Sequence, residues 1–162
     1  MRSLIVGFGN PLRGDDGVGS AALRLLSEEP LPEGVRCADV GIGGVALVHE
    51  LQAGWDRLVI IDAVKRGGAP GTLYVLSPHL PDLDAMSPAQ RGDLLVDAHM
   101  AEPYHALVLA GALGVLPREL HVVGVEAAET EELSLELSPA VARAVPLAAR
   151  RARELACEPV AV

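Results

Sequence analysis

Arg57-Leu58-Val59-Ile60-Ile61-Asp62-Ala63-Val64 narrows the fold more than any other stretch of this chain. It is continuously apolar from Leu58 to Ile61 and does not alternate with polar residues. A strand of that kind is covered on both faces, which is the situation of a parallel sheet with helices above and below. Shorter β-rich runs lie at Ser3–Val6, Val35–Val40, Thr72–Leu76 and Leu120–Val125. Helical patterns fall between them. Val18, Ala21, Ala22, Leu25 and Leu26 draw one face of a helix over 18–26, and Val45–Leu51 reads as a second, closed by Gly54. A third begins just after His99, with Pro103 in its first turn, and runs to about Leu113, where Gly114 and Pro117 stop it. Ser138 caps a fourth, with Pro139 at its first position, ending near Ala156. Residues 77–98, with Pro78, Pro81 and Pro88, carry no sustained period and read as a long irregular loop with one helical turn. Five strands alternating with four helices predict a three-layer α/β sandwich, a largely parallel sheet with helices on both faces, in one domain spanning 1–162.

Composition excludes several functions. Half of the residues are apolar but only 2% are aromatic, so the core is built from Leu, Val, Ala and Ile. The net charge is -9 and the only basic cluster, Arg150, Arg151 and Arg153, suits the last turns of a helix, so no nucleic-acid partner is expected. Cys37 and Cys157 have neither metal-site nor disulfide-framework spacing, which fits a reducing cytoplasm. No apolar run reaches the ~18 residues of a membrane span, and the start of the chain is too short for a signal peptide.

The turn after the first strand, Gly7-Phe8-Gly9-Asn10-Pro11-Leu12-Arg13-Gly14-Asp15-Asp16-Gly17-Val18-Gly19, carries the first chemical question. A dinucleotide fingerprint needs Gly-x-Gly-x-x-Gly, and the third position here is Leu12. Asp15 and Asp16 then put two negative charges at a helix N-terminus, where a pyrophosphate would sit. The pair suits a cation or acid–base chemistry better, the plain alternative being that Asp15 caps the helix and Asp16 complements its dipole. In parallel sheets ligands gather outside the carboxyl ends of the strands. Asp16 follows the first strand, Asp39 ends the second, Asp62 ends the third and His99 precedes a crossover helix. Asp16, Asp62 and His99 make an O,O,N set suited to a divalent metal with positions left open.

Gly7-x-Gly9-Asn10-x-Leu12-x-x-Asp15-Asp16-x-x-Gly19 resembles the opening motif of the hydrogenase maturation endopeptidases. The likeness continues in order through Asp39 with Gly41 and Gly44, Ile60-Ile61-Asp62-Ala63, Pro70-Gly71-Thr72 and Val123-Gly124-Val125. The resemblance implies a phosphorylase/hydrolase-like sandwich. It implies an endopeptidase that removes the C-terminal extension of a [NiFe]-hydrogenase large-subunit precursor after nickel insertion. By the same resemblance, Asp16, Asp62 and His99 are the metal ligands, with Asp16 standing where some members carry Glu. The nickel belongs to the substrate and serves as its recognition element, and no organic cofactor is implied. Asp16, Asp62 and Asp39 are the candidate catalytic carboxylates. Asp39 either meets the substrate backbone or steadies the Gly41–Gly44 turn.

Two other readings compete: a Rossmann-like nucleotide-binding protein, favoured by Gly7, Gly9 and Asp39, and a non-catalytic escort of nickel or of the precursor. The first is separable at once. Titration with NAD or ATP is expected to leave the fluorescence of Trp55, the only tryptophan, unchanged. A saturable change would restore the nucleotide reading.

Overall fold

In the computed structural model, which describes residues 1–82, 85–90, 92, 103–128 and 130–159, one sheet runs through the middle of the chain. Its strands are β1 (Ser3–Phe8), β2 (Val35–Gly41), β3 (Arg57–Val64), β4 (Leu73–Leu76) and β5 (Glu119–Glu126), in the order β2-β1-β3-β5-β4. β1, β2, β3 and β5 are mutually parallel and β4 is antiparallel to β5. The exception follows from connection length. Residues 65–72 are too few for the crossover of a dozen or more residues that a parallel neighbour requires. The chain therefore turns back, and because β5 occupies the place beside β3, β4 takes the outer edge.

Among the described residues four helices cover the sheet: α1 (Val18–Leu26), α2 (Gly44–Leu51), α3 (Pro103–Ala112) and α4 (Pro139–Cys157). Ile5, Val59, Ile61 and Val123 pack one face against Val18 of α1 and Val141 of α4. Leu4, Val6, Leu58 and Ile60 pack the other against Leu47 of α2 and Leu107 of α3. Successive strand residues point to opposite faces, so a continuous apolar run is what a sheet buried on both sides demands. The three-layer expectation holds. Within the stretch read as irregular, residues 88–90 are helical, and 93–98 lie outside the described residues.

α1 lies unusually close to the sheet. A side chain at Gly19 would stand 2.6 Å from the carbonyl oxygens of both Phe8 and Ile61. The turn leading into α1 begins at Gly9, whose φ of 113° is left-handed and where a Cβ would meet the Asp16 carbonyl at 2.1 Å. Between them, Gly14–Gly17 forms a 3-10 turn. Here the structure corrects the capping expectation. The N-cap of α1 is Gly17, with no side-chain bond, and Asp15 is instead turned under the sheet edge at 1% exposure. Its carboxylate accepts hydrogen bonds from the Ser138 backbone N–H (2.6 Å), the Ser138 hydroxyl (2.9 Å) and the Ala128 N–H (2.8 Å). One buried carboxylate thus joins the first turn to the start of α4, which Ser138 does not cap with its own side chain.

A second buried acid, Glu126 at the end of β5, holds the β3–β4 connection. It accepts from the Arg66 N–H at 2.9 Å and the Gly67 N–H at 2.9 Å and bonds the Tyr74 hydroxyl. At the opposite end of the sheet the buried Arg57 guanidinium pairs with Glu119 and donates to the carbonyls of Leu155 and Glu158, tying down the end of α4.

Removing the buried Asp15 carboxylate takes the acceptor from three part-buried donors, so Asp15→Ala is expected to destabilise the fold by about 3 kcal/mol in urea unfolding. Burial, followed by the Glu126 carboxylate, raises the Tyr74 phenol above its ordinary value. The fold therefore favours the neutral phenol. That contribution is complete below the ordinary tyrosine value of about 10 and is lost as pH climbs through the raised one. In a Tyr104→Phe variant, tyrosinate absorbance then reports Tyr74 alone, and its midpoint is expected above that of free tyrosine.

Candidate functional site

The neighbouring strands β1 and β3 pair with Gly7 opposite Ile61, so their carboxyl ends finish side by side. Asp62 is the next residue on β3 and is half-buried. Asp16 reaches the same edge by another route. The close approach of Gly19 to Ile61 brings the start of α1 against the end of β3, and Asp16 lies three residues before Gly19. Asp16 Oδ2 accepts the Asn10 N–H at 2.6 Å, which fixes the carboxylate against its own turn. Asp16 and Asp62 line one cavity of about 730 Å³. Its walls include the apolar Ile42, Tyr104 and Leu107, and Arg13, Lys65 and Glu131 contribute to its polar lining. Two carboxylates, one from the turn before α1 and one near the end of β3, open to a cavity of peptide size, are equipped to hold a cation or to take a proton from water.

The same turn is not equipped to cradle phosphate. That use requires backbone N–H groups aimed outward. Here the Gly9 N–H bonds the Gly41 carbonyl, the Asn10 N–H bonds Asp16, the Leu12 N–H bonds Asn10 Oδ1, the Arg13 N–H bonds the Asn10 carbonyl and the Gly14 N–H bonds the Ser134 carbonyl. The donors are consumed within the protein.

Asp39, the third predicted carboxylate, is exposed at the end of β2 and is not part of the cavity wall. Its Oδ1 accepts the Gly41 N–H at 3.0 Å, closing the turn that carries Ile42 to the cavity. His99 lies outside the described residues. His105, the competing imidazole, sits on α3 and is not among the cavity-lining residues, and among the described residues its buried Nδ1 has no hydrogen-bond partner. Among the described residues no three His, Cys, Asp or Glu side chains gather as a metal-ligand group.

Sequence reasoning missed three features. It chose Asp16 for the site and left Asp15 as a helix cap, and it did not foresee that Asp15 is buried and bonded to Ala128 and Ser138. It passed over Glu126, although a carboxylate closing an apolar strand is the same signal that singled out Asp62. It had no means of finding Glu131, whose Oε2 lies 3.4 Å from Arg13 and whose Oε1 lies 3.6 Å from Lys65, pairings between distant segments.

Comparison with known proteins places the chain in a family. A model of the hydrogenase maturation protease family matches residues 22–154. The hydrogenase expression/formation protein HupM of Azotobacter chroococcum mcd 1 is 38% identical over 157 residues, covering 91% of this chain and 72% of that protein. The hydrogenase 2 maturation protease of Escherichia coli K12 is 34% identical over 146 residues, covering 87% and 82% respectively. Among solved structures, the [NiFe] hydrogenase maturation protease HybD from Thermococcus kodakarensis superposes with a TM-score of 0.70 at 31% identity, covering 96% of this chain and 99% of that one. The hydrogenase maturating endopeptidase HybD from E. coli gives 0.72 at 26% identity, covering 93% and 89%. With the family match extending over most of its length, and with relatives above 30% identity along nearly all of it, this chain belongs to the hydrogenase maturation proteases.

Proposed function

We propose that this peptidase cuts the C-terminal extension from the large-subunit precursor of a [NiFe] hydrogenase after nickel insertion, and that the substrate's nickel is what it recognises. The observation that carries the reading is the shared cavity of Asp16 and Asp62, one reached from the turn before α1 and the other from β3. Two carboxylates leave most of a divalent ion's coordination shell unfilled. That suits an ion delivered with its other ligands by a partner. His99 completes the proposed O,O,N set. No organic cofactor enters the proposal.

In this scheme the chain is an aspartate-dependent endopeptidase. One carboxylate of the pair takes a proton from water as its oxygen attacks the scissile carbonyl carbon. The carbon–nitrogen bond then breaks, and the proton passes to the leaving amine. The bond from the Asn10 N–H holds Asp16 in one orientation throughout. Asp39 acts from the rim by keeping the Gly41 turn, and with it Ile42, in place. The compartment we propose is the cytoplasm, in which the free thiols of Cys37 and Cys157 persist. No helix among the described residues is long and apolar enough to cross a membrane.

Incubation with a nickel-loaded precursor, followed by mass spectrometry, tests the proposal. The wild-type chain is expected to reduce the precursor mass by that of its tail. Asp16→Ala and Asp62→Ala are expected to keep native circular dichroism and to lower processing by about 100-fold or more. Asp39→Ala is expected to remain within about tenfold of wild type, as a positioning residue. Normal trimming by both Asp16 and Asp62 variants would overturn the scheme, and an unchanged precursor mass with the wild type would leave only a binding protein.

A further inference from the structure

Residues 130–137 form a strap beside the cavity, and its first two residues, Thr130 and Glu131, line it. Its flanks are fixed by Asp15, which bonds Ala128 before it and Ser138 after it. Its middle is fixed by Ser134, whose N–H donates to the Leu12 carbonyl at 2.9 Å and whose carbonyl accepts from the Gly14 N–H at 2.8 Å. The strap is therefore held at three points. It nevertheless displays Leu133 at 85% exposure and Leu135 at 80%, beside Leu12 at 54%. Leu137, two residues further on, is packed against the core. The strap thus has an inner side and an outer one, and two leucines occupy the outer. Apolar groups held outward beside a functional cavity mark an interaction surface.

Charge specifies the partner further. Thr130 and Glu131 of the strap line the cavity together with Arg13, Lys65 and Arg66. In a chain of net charge -9, three cations meet at this one mouth, where the lining acids are Asp16, Asp62 and Glu131. Glu131 lies between Arg13 and Lys65 at 3.4 and 3.6 Å, and its side chain is largely exposed. Exposed ion pairs of this kind are weak, so a carboxylate from outside exchanges with Glu131 readily. Arg66 lies over the Tyr74 ring, 5.4 Å from its centroid, and forms no ion pair among the described residues.

We propose that Leu12, Leu133 and Leu135 are the docking face for the folded body of the precursor. The surface it meets is apolar and carries a carboxylate that replaces Glu131 between Arg13 and Lys65. This rests on the proposed function, because the tail enters the cavity only with the folded protein that bears it. The strap then reads the body of the substrate, while Asp16 and Asp62 act on its tail.

Steady-state processing of the full precursor by a Leu133→Ser/Leu135→Ser double variant provides the test. KM is expected to rise by about tenfold or more with kcat within about twofold of wild type. Both serine positions are solvent-exposed, and an unchanged melting temperature verifies the fold. A KM equal to that of wild type overturns the docking face and leaves the endopeptidase reading standing. Sedimentation of the wild type as a dimer, broken by the two serines with KM unchanged, assigns the leucines to a second copy of the chain and also overturns it. A wild type that does not shorten the precursor defeats the function and the docking face together.

Discussion

Helix α1 approaches the sheet so closely that only a hydrogen fits between Gly19 and the carbonyl oxygens of Phe8 and Ile61. Much of the candidate site follows from that contact. A methyl group at position 19 would push the helix away from the ends of β1 and β3. The turn before it would move with the helix, and Asp16 would leave the cavity wall it shares with Asp62. Close packing between backbones transmits such shifts with little loss, because a well-packed interior has no slack to absorb them.

The Asp15-Asp16 pair shows how one turn serves two purposes. Asp15 is buried and saturated by donors from Ala128 and Ser138, so it joins elements far apart in sequence. Asp16 remains half-buried, oriented by Asn10 and open to the cavity. The first keeps the strap and the start of α4 against the turn. The second is free to act because the first supplies the rigidity. Glu126 does for the β3–β4 connection what Asp15 does for the strap, and Lys65 and Arg66 are carried on that connection. The cavity is consequently bounded by loops that are anchored from beneath by buried acids, while their outward side chains remain available to a partner.

Much of the architecture was legible in the chain. The run from Leu58 to Ile61 announced a strand covered on both faces, and Val59 and Ile61 do pack opposite to Leu58 and Ile60. Pro139 opened its helix as expected. The role of Asp15 was misread, since capping is a local habit and the carboxylate met stronger donors from distant backbone. The direction of β4 follows from the short connection at residues 65–72, but its place beside β5 at the sheet edge was hidden, because an apolar strand carries no mark of the neighbour with which it pairs.

Residue order alone established the strand and helix periods, the carboxylates at strand ends and the ordered motifs that tie the chain to its family, since each is a property of short stretches. The tertiary structure decided which of two adjacent aspartates is interior, that Asp16 and Asp62 open on one cavity, and that Glu131 reaches Arg13 and Lys65 across it. These are relations between segments tens of residues apart. They come into being only when packing against a shared sheet sets the distances between them.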